Sequence, residues 1–262
     1  VQLNIKVLGA AELAKAMDRA ASQVPFAAAR AINVVLTEAR GKVQADMRRV
    51  FDRPTPWVIN SLRIKHATKA TMAGELAFKD INSVTSSRTM VFPHVDGGRR
   101  HRKAMEARLF AAGLLPAGYS VVPGGGAKLD AFGNISRGQV SQLLNVLGTY
   151  TEAGYNKAND KTRQRLAKGN AKKNVYGFEW WVNPVQGGAK HIPPGVYQRV
   201  RTGFGSSLKP VLVFVREARY RPRLAFEETV QAWAVKRFPA EFEREFDAAV
   251  RTAILKRQGV LL

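Results

Sequence analysis

The chain is predicted to adopt an α+β fold: an antiparallel sheet packed against long N-terminal and C-terminal helices, with extended loops and a basic arm. Three observations predict it. Apolar residues recur every three or four positions from Phe26 to Val50 and again from Phe226 to Ile254, the spacing of one buried helix face. Between those runs the period falls to two, at Leu62–His66, Leu76–Phe78 and Tyr176–Val182, as half-buried strands require. Helices first, strands in the middle and a helix last is the order of an α+β chain rather than of alternating βαβ units.

Val1, Leu3, Ile5 and Val7 alternate as a short strand, and Ala10 to Ala21 reads as a helix. Pro25 fits the first turn of a second helix. That helix carries Phe26, Ala29, Ile32, Leu36, Ala39, Val43, Met47 and Val50 on one face. In VFDRPTPWVINSL, from Val50 to Leu62, Pro54 and Pro56 stop the helix and hold the link extended. Trp57, Val58 and Ile59 follow as an apolar plug. Leu62, Ile64 and His66, then Leu76 and Phe78, form a hairpin with a polar turn near Thr68–Thr71, and Arg88 to Phe92 reads as a third strand. A short helix from Arg102 to Ala112 is capped by Gly113. Tyr119–Val122 is a brief strand and Pro123–Gly126 a flexible run. Ser136 opens a helix to about Tyr150 that buries Val140, Leu143, Leu144 and Leu147.

Residues 156–174, NKANDKTRQRLAKGNAKKN, hold seven Lys or Arg against one Asp. Large apolar residues almost vanish there, so the segment reads as a mobile, solvated arm. Order returns with Tyr176, Phe178, Trp180 and Val182, then strands at Val196–Val200 and Pro210–Val215. Leu224 to Lys256 is a long helix that Pro239 kinks or divides. No internal repeat is visible. The expected organisation is a single α+β domain over residues 1–262 with a flexible basic arm at about 156–174.

The 262 residues are 45% hydrophobic, enough for a proper core. The absence of cysteine excludes disulfides, thiol catalysis and Cys-based zinc sites. No run reaches the roughly 18 apolar residues that span a bilayer, and the start has no apolar block of signal-peptide length. A protein without membrane partners, made in a cytoplasm, is expected. The net charge of +22 and a pI near 10.8 favour polyanionic partners, whether nucleic acid or acidic protein faces.

Tests for chemistry return little. VPGGGAKLD lacks the spacing of a phosphate-binding G-x-x-x-x-G-K-[ST] loop, and GFGSSLK from Gly203 lacks a dinucleotide fingerprint. His66, His94, His101 and His191 are scattered without metal-ligand spacing, and no G-x-S-x-G occurs. No catalytic residue, metal or cofactor is expected. Two basic clusters are the candidate contacts to DNA or to an acidic partner. The first is Arg99, Arg100, Arg102 and Lys103. The second is Lys157, Lys161, Arg163, Arg165, Lys168, Lys172 and Lys173. Adjacent strand positions face opposite sides, so Trp180 and Trp181 cannot share one core; Trp181 and Trp57 are the candidate subunit-interface residues.

Four regions carry a family resemblance. They are FDRPTPW with SLRIKHATKATMAGELAFKD after it, HVDGGRRHRKAMEARL from His94, VPGGGAKLDAFGNISRGQVSQLLNVL from Val122, and GVYQRV followed by LKPVLVFV and YRPRLAFEETV. In this order and spacing they resemble the minor tail protein Z family of tailed bacteriophages. The resemblance implies a structural, non-enzymatic virion protein that finishes the tail or joins it to the head. It also implies assembly in the host cytoplasm as a homo-oligomeric ring against portal, neck or tail proteins, around the DNA passage. The N-terminal strand or the 156–174 arm is expected to cross to an adjacent subunit. The alternative is a non-specific basic DNA-binding protein acting in packaging or recombination.

Overall fold

The computed structural model describes residues 10–79, 90–149, 158–170, 175–202, 205–217 and 219–257; the strand expected at Val1–Val7 falls outside them. The fold is α+β, and the chain divides into two compact units. One comprises Val1–Phe51, Pro56–Lys79 and Arg223–Leu262, the other Asp52–Thr55 and Asp80–Pro222.

The first unit is built on an antiparallel pair of long helices, α1 (Ala10–Val50) and the last helix, α6 (Phe226–Arg257). Two helices were expected on either side of Pro25, yet α1 runs through it. An interior proline removes one backbone hydrogen bond and costs about 3 kcal/mol. The alanines on both sides and the packing of the following turns outweigh that cost. Pro239 likewise lies within a single α6. The buried stripe of α1 is Ala27, Ala31, Val35, Ala39, Val43 and Met47. Phe26, expected on that face, is instead 37% exposed, with Arg30 and Lys69 at 5.7 and 6.0 Å from its ring.

Ion pairs run along the seam between α1 and α6. Arg237 bonds Glu38 and Glu241, Arg244 reaches Glu241 and Glu245, and Arg30 reaches Glu245 at 2.6 Å. Trp233 Nε1 also donates to Glu38. The Arg237 hydrogen bonds hold the Glu38 carboxyl below its usual range. Phe238, Phe242 and Phe246 stack along the neighbouring, half-buried face of α6.

After the one-turn helix α2 (Pro56–Ile59), strands β1 (Leu62–Lys65) and β2 (Glu75–Phe78) form the expected hairpin. Its polar turn is closed by Thr68 and Thr71. Asn33 of α1 both donates to Ala67 O and accepts from Ala67 N, standing in for a strand neighbour. Gly74 permits close approach, because a Cβ there would lie 2.5 Å from Leu36 Cδ1. Thus both long helices pack with this two-stranded sheet, and Phe78 meets Phe226 at 4.9 Å between ring centres.

The second unit centres on a four-stranded antiparallel sheet of order β3-β8-β7-β6. Its strands are β3 (Tyr119–Pro123), β6 (Phe178–Asn183), β7 (Gly195–Thr202) and β8 (Gly205–Arg216). Helices α3 (Ala104–Ala111) and α4 (Arg137–Val146) supply Leu109, Leu143 and Leu144, which meet Val121, Val196, Val211, Leu212 and Phe214 in one core. Trp180 packs on this core; Trp181, one residue on, lies on the opposite face against Tyr197. There, buried Asn183 staples the 184–194 loop, sharing its Nδ2 protons among the carbonyls of Ala189, Ile192 and Pro193 while its Oδ1 accepts from Ala189 N.

Three local expectations are corrected. Residues 90 and 91 are helical and lead into a 3-10 turn, Phe92–His94; Pro93 has no N–H for a strand ladder. The glycine run after β3 is ordered: Gly124 N donates to Val211 O and Gly126 N to Pro210 O, so it extends the contact with β8. The described part of the arm is helix α5 (Asp160–Lys168), followed by the small hairpin β4 (Gly169–Asn170) and β5 (Val175–Tyr176). Asn159 caps α5 by accepting from Thr162 N, and Gly169 leaves it at φ +70°; these caps specify the helix despite its polar composition.

Leu143 is 1% exposed at the centre of the second core. Leu143→Ala is expected to cost about 2–5 kcal/mol, read as a lowered midpoint in urea unfolding. A change below about 1 kcal/mol would show that α4 does not seal that core.

Candidate functional site

Both basic clusters lie in the second unit, and the structure separates cations that the sequence groups together. Arg100 is turned inward. Its guanidinium forks onto Glu106, Nη1 to Oε2 at 2.7 Å and Nη2 to Oε1 at 2.6 Å. The Glu106 side chain has no exposed surface. It also accepts the backbone N–H of Lys103 at 2.7 Å and of Val121 at 2.8 Å. Burial opposes its charge, but the Arg100 fork and the two amides outweigh burial and hold the carboxyl below its ordinary range. Arg100 is therefore a structural cation rather than a surface contact.

The rest of this cluster divides too. Arg102 lies over the Phe110 ring at 4.0 Å from its centre, and its Nε is buried. Arg99 is mostly exposed, with Nη1 3.7 Å from Glu217 Oε2. Lys103 caps the start of α3, and its side chain is exposed. The cavity beside Arg99, Arg100, Glu217 and Tyr220 measures only about 70 Å³, too small for a drug-sized ligand.

The second cluster is organised by α5. Arg163 faces the body of the unit, donating to Val146 O at 3.2 Å and lying 3.8 Å from Asp160. With Leu166, Ala167, Phe178 and Trp180 it lines a groove of about 420 Å³. Lys161, Arg165 and Lys168 are exposed, and among the described residues none has an acidic partner. Lys157, Lys172 and Lys173 lie outside the described residues.

Of the interface candidates, Trp57 is 47% exposed. Trp181 is half-buried, with the tilted Tyr197 ring at 5.6 Å and the Arg199 guanidinium at 5.8 Å from its ring. Sequence reasoning missed Glu106, whose signal was its place three residues into a helix after the extended Lys103, where a carboxylate reaches back to the cap amide. It also missed the 128–136 hairpin. There Asp130 Oδ1 accepts from Phe132 N and Asn134 N, and Leu129 and Phe132 are exposed on either side of it, by 51% and 38%.

No group of three or more His, Asp or Glu among the described residues is placed to hold a metal. Among the described residues, no helix is long and apolar enough to cross a membrane. No family model, curated protein or solved structure matches the chain.

Removing one partner of a buried pair leaves the other charge unpaired and costs about 3–5 kcal/mol. Glu106→Gln is accordingly expected to lower stability by that amount at pH 7 in denaturant unfolding. Because the folded carboxyl titrates below its usual 4.5, the contribution is complete above that value and is lost as pH falls through the lowered one. The gap between variant and parent should narrow progressively below about pH 4.5; a gap independent of pH would exclude an ionised Glu106.

Proposed function

We propose that this chain is a structural virion subunit of a tailed bacteriophage, an oligomeric neck or tail-completion protein that joins tail to head around the DNA passage. The observation that carries the proposal is the ordered set of four segments, from FDRPTPW at Phe51 to YRPRLAFEETV at Tyr220, that resembles the minor tail protein Z family. Large apolar side chains held outward by well-braced backbone support it. Leu129 and Phe132 stand on a hairpin locked by Asp130. Trp57 stands on α2, whose Ile59 carbonyl accepts from Gln44 of α1. Ring subunits need such complementary faces, and buried aromatics dominate interface energetics. In this reading the protein performs no chemistry; its work is complementarity of shape and charge. The second reading, a non-specific DNA-binding protein in packaging or recombination, is favoured by the exposed Lys161, Arg165 and Lys168 of α5, which have no acidic partner among the described residues.

The proposal is tested on intact particles of the parent phage by cryo-electron microscopy. A symmetric ring between head and tail tube into which this chain can be traced is expected. Its absence from the particle overturns the proposal in favour of the second reading. Trp57→Ser should change the stability of the isolated chain by no more than about 0.5 kcal/mol yet lower its recovery in particles; full recovery would remove Trp57 from the interface.

A further inference from the structure

Helix α5 has two unlike faces. Arg163, Gln164, Leu166 and Ala167 line the groove against β6. Lys161, Arg165 and Lys168 fall at i, i+4 and i+7, which places them in one exposed stripe. Like charges at such spacings destabilise a helix, and Lys161 stands beside the positive end of the helix dipole, where a cation is disfavoured, although Arg165 and Lys168 lie in the last turn, where the dipole favours them. Asp160, the acid of this helix, is turned to Arg163. A local conflict of this kind marks a surface selected for something other than stability.

We infer that this outer face of α5 contacts the phosphate backbone of duplex DNA. Seven residues of helix rise about 10 Å, and each strand of B-DNA carries a charge per roughly 3.4 Å of axis. The stripe therefore faces about three phosphates of one strand. An acidic protein surface fits less well. Protein interfaces centre on buried aromatic and aliphatic side chains, whereas Leu166, the large apolar residue of α5, is directed to the groove. The three side chains carry charge without a base-reading pattern, so binding is independent of sequence. The inference goes beyond both readings above and holds under either, since it names only the partner of one face of the chain.

The test uses the purified full chain and two 30-base-pair fluorescent duplexes of unrelated sequence, titrated at several salt concentrations. The triple variant Lys161→Gln, Arg165→Gln, Lys168→Gln is compared with a charge-matched control, Arg137→Gln, Arg216→Gln, Arg219→Gln. Glutamine keeps helix propensity, and circular dichroism melts check that both variants fold. The α5 variant is expected to bind both duplexes on the order of tenfold more weakly at low salt, with a log–log salt slope shallower by about three. The control should stay near the parent, and Lys161→Arg, Arg165→Lys, Lys168→Arg should bind as the parent does. Three results would overturn the inference: an unchanged α5 variant, an equal loss in the control, or displacement of duplex by poly-glutamate at a lower charge concentration than by unlabelled duplex. Each is read on the isolated chain, so it stands apart from whether the particle contains a ring.

Discussion

A carboxylate with no contact to water is costly to keep ionised, and Glu106 is kept so by four donors converging on two oxygens. Loss of any one of them would remove part of what offsets the desolvation of the charge. That requirement organises much of the second unit. It fixes the first turn of α3 through Lys103 N and ties that helix to β3 through Val121 N, whose side chain belongs to the core. It also determines that Arg100 points inward. Neighbouring cations in one short run consequently have different duties, and the number free to meet a partner is smaller than the run suggests.

The first unit solves a related problem differently. Beside the buried apolar stripe of α1, its two long helices are cross-linked by two ion pairs, Glu38 with Arg237 and Arg30 with Glu245, which Glu241 and Arg244 of α6 extend into a network. Such pairs contribute little net stability against well-packed apolar residues, but they discriminate between registers. Sliding α6 by one turn would separate Glu38 from Arg237 and Glu245 from Arg30 together. The small residues of α1, such as Ala31 and Ala39, leave room for these longer side chains.

The long helices, the hairpin at Leu62–Phe78 and the strands from Phe178 to Val215 were legible because burial on one face imposes a period on the sequence. The prolines were overweighted: Pro25 and Pro239 each lose one hydrogen bond, and tertiary packing absorbs the loss. Helix α5 was illegible to a search for apolar period, since it has almost no apolar face; its caps at Asn159 and Gly169 were the surviving signal. The candidate site was legible as charge but not as geometry. Whether Arg100 or Arg163 is free depends on Glu106 and on the carbonyl of Val146, partners that only the fold brings near.

The discontinuity of the first unit has a consequence for synthesis. Asp46 and Thr229, which meet in the helix pair, are 183 residues apart in the chain. At roughly 5–20 residues per second, α1 leaves the ribosome some ten to forty seconds before its partner helix exists. During that interval the stripe from Ala27 to Met47 has no α6 to cover it, while most of the second unit is already complete in the nascent chain. The order of birth thus runs from the inserted unit to the enclosing one, and the last helix to be made closes the first.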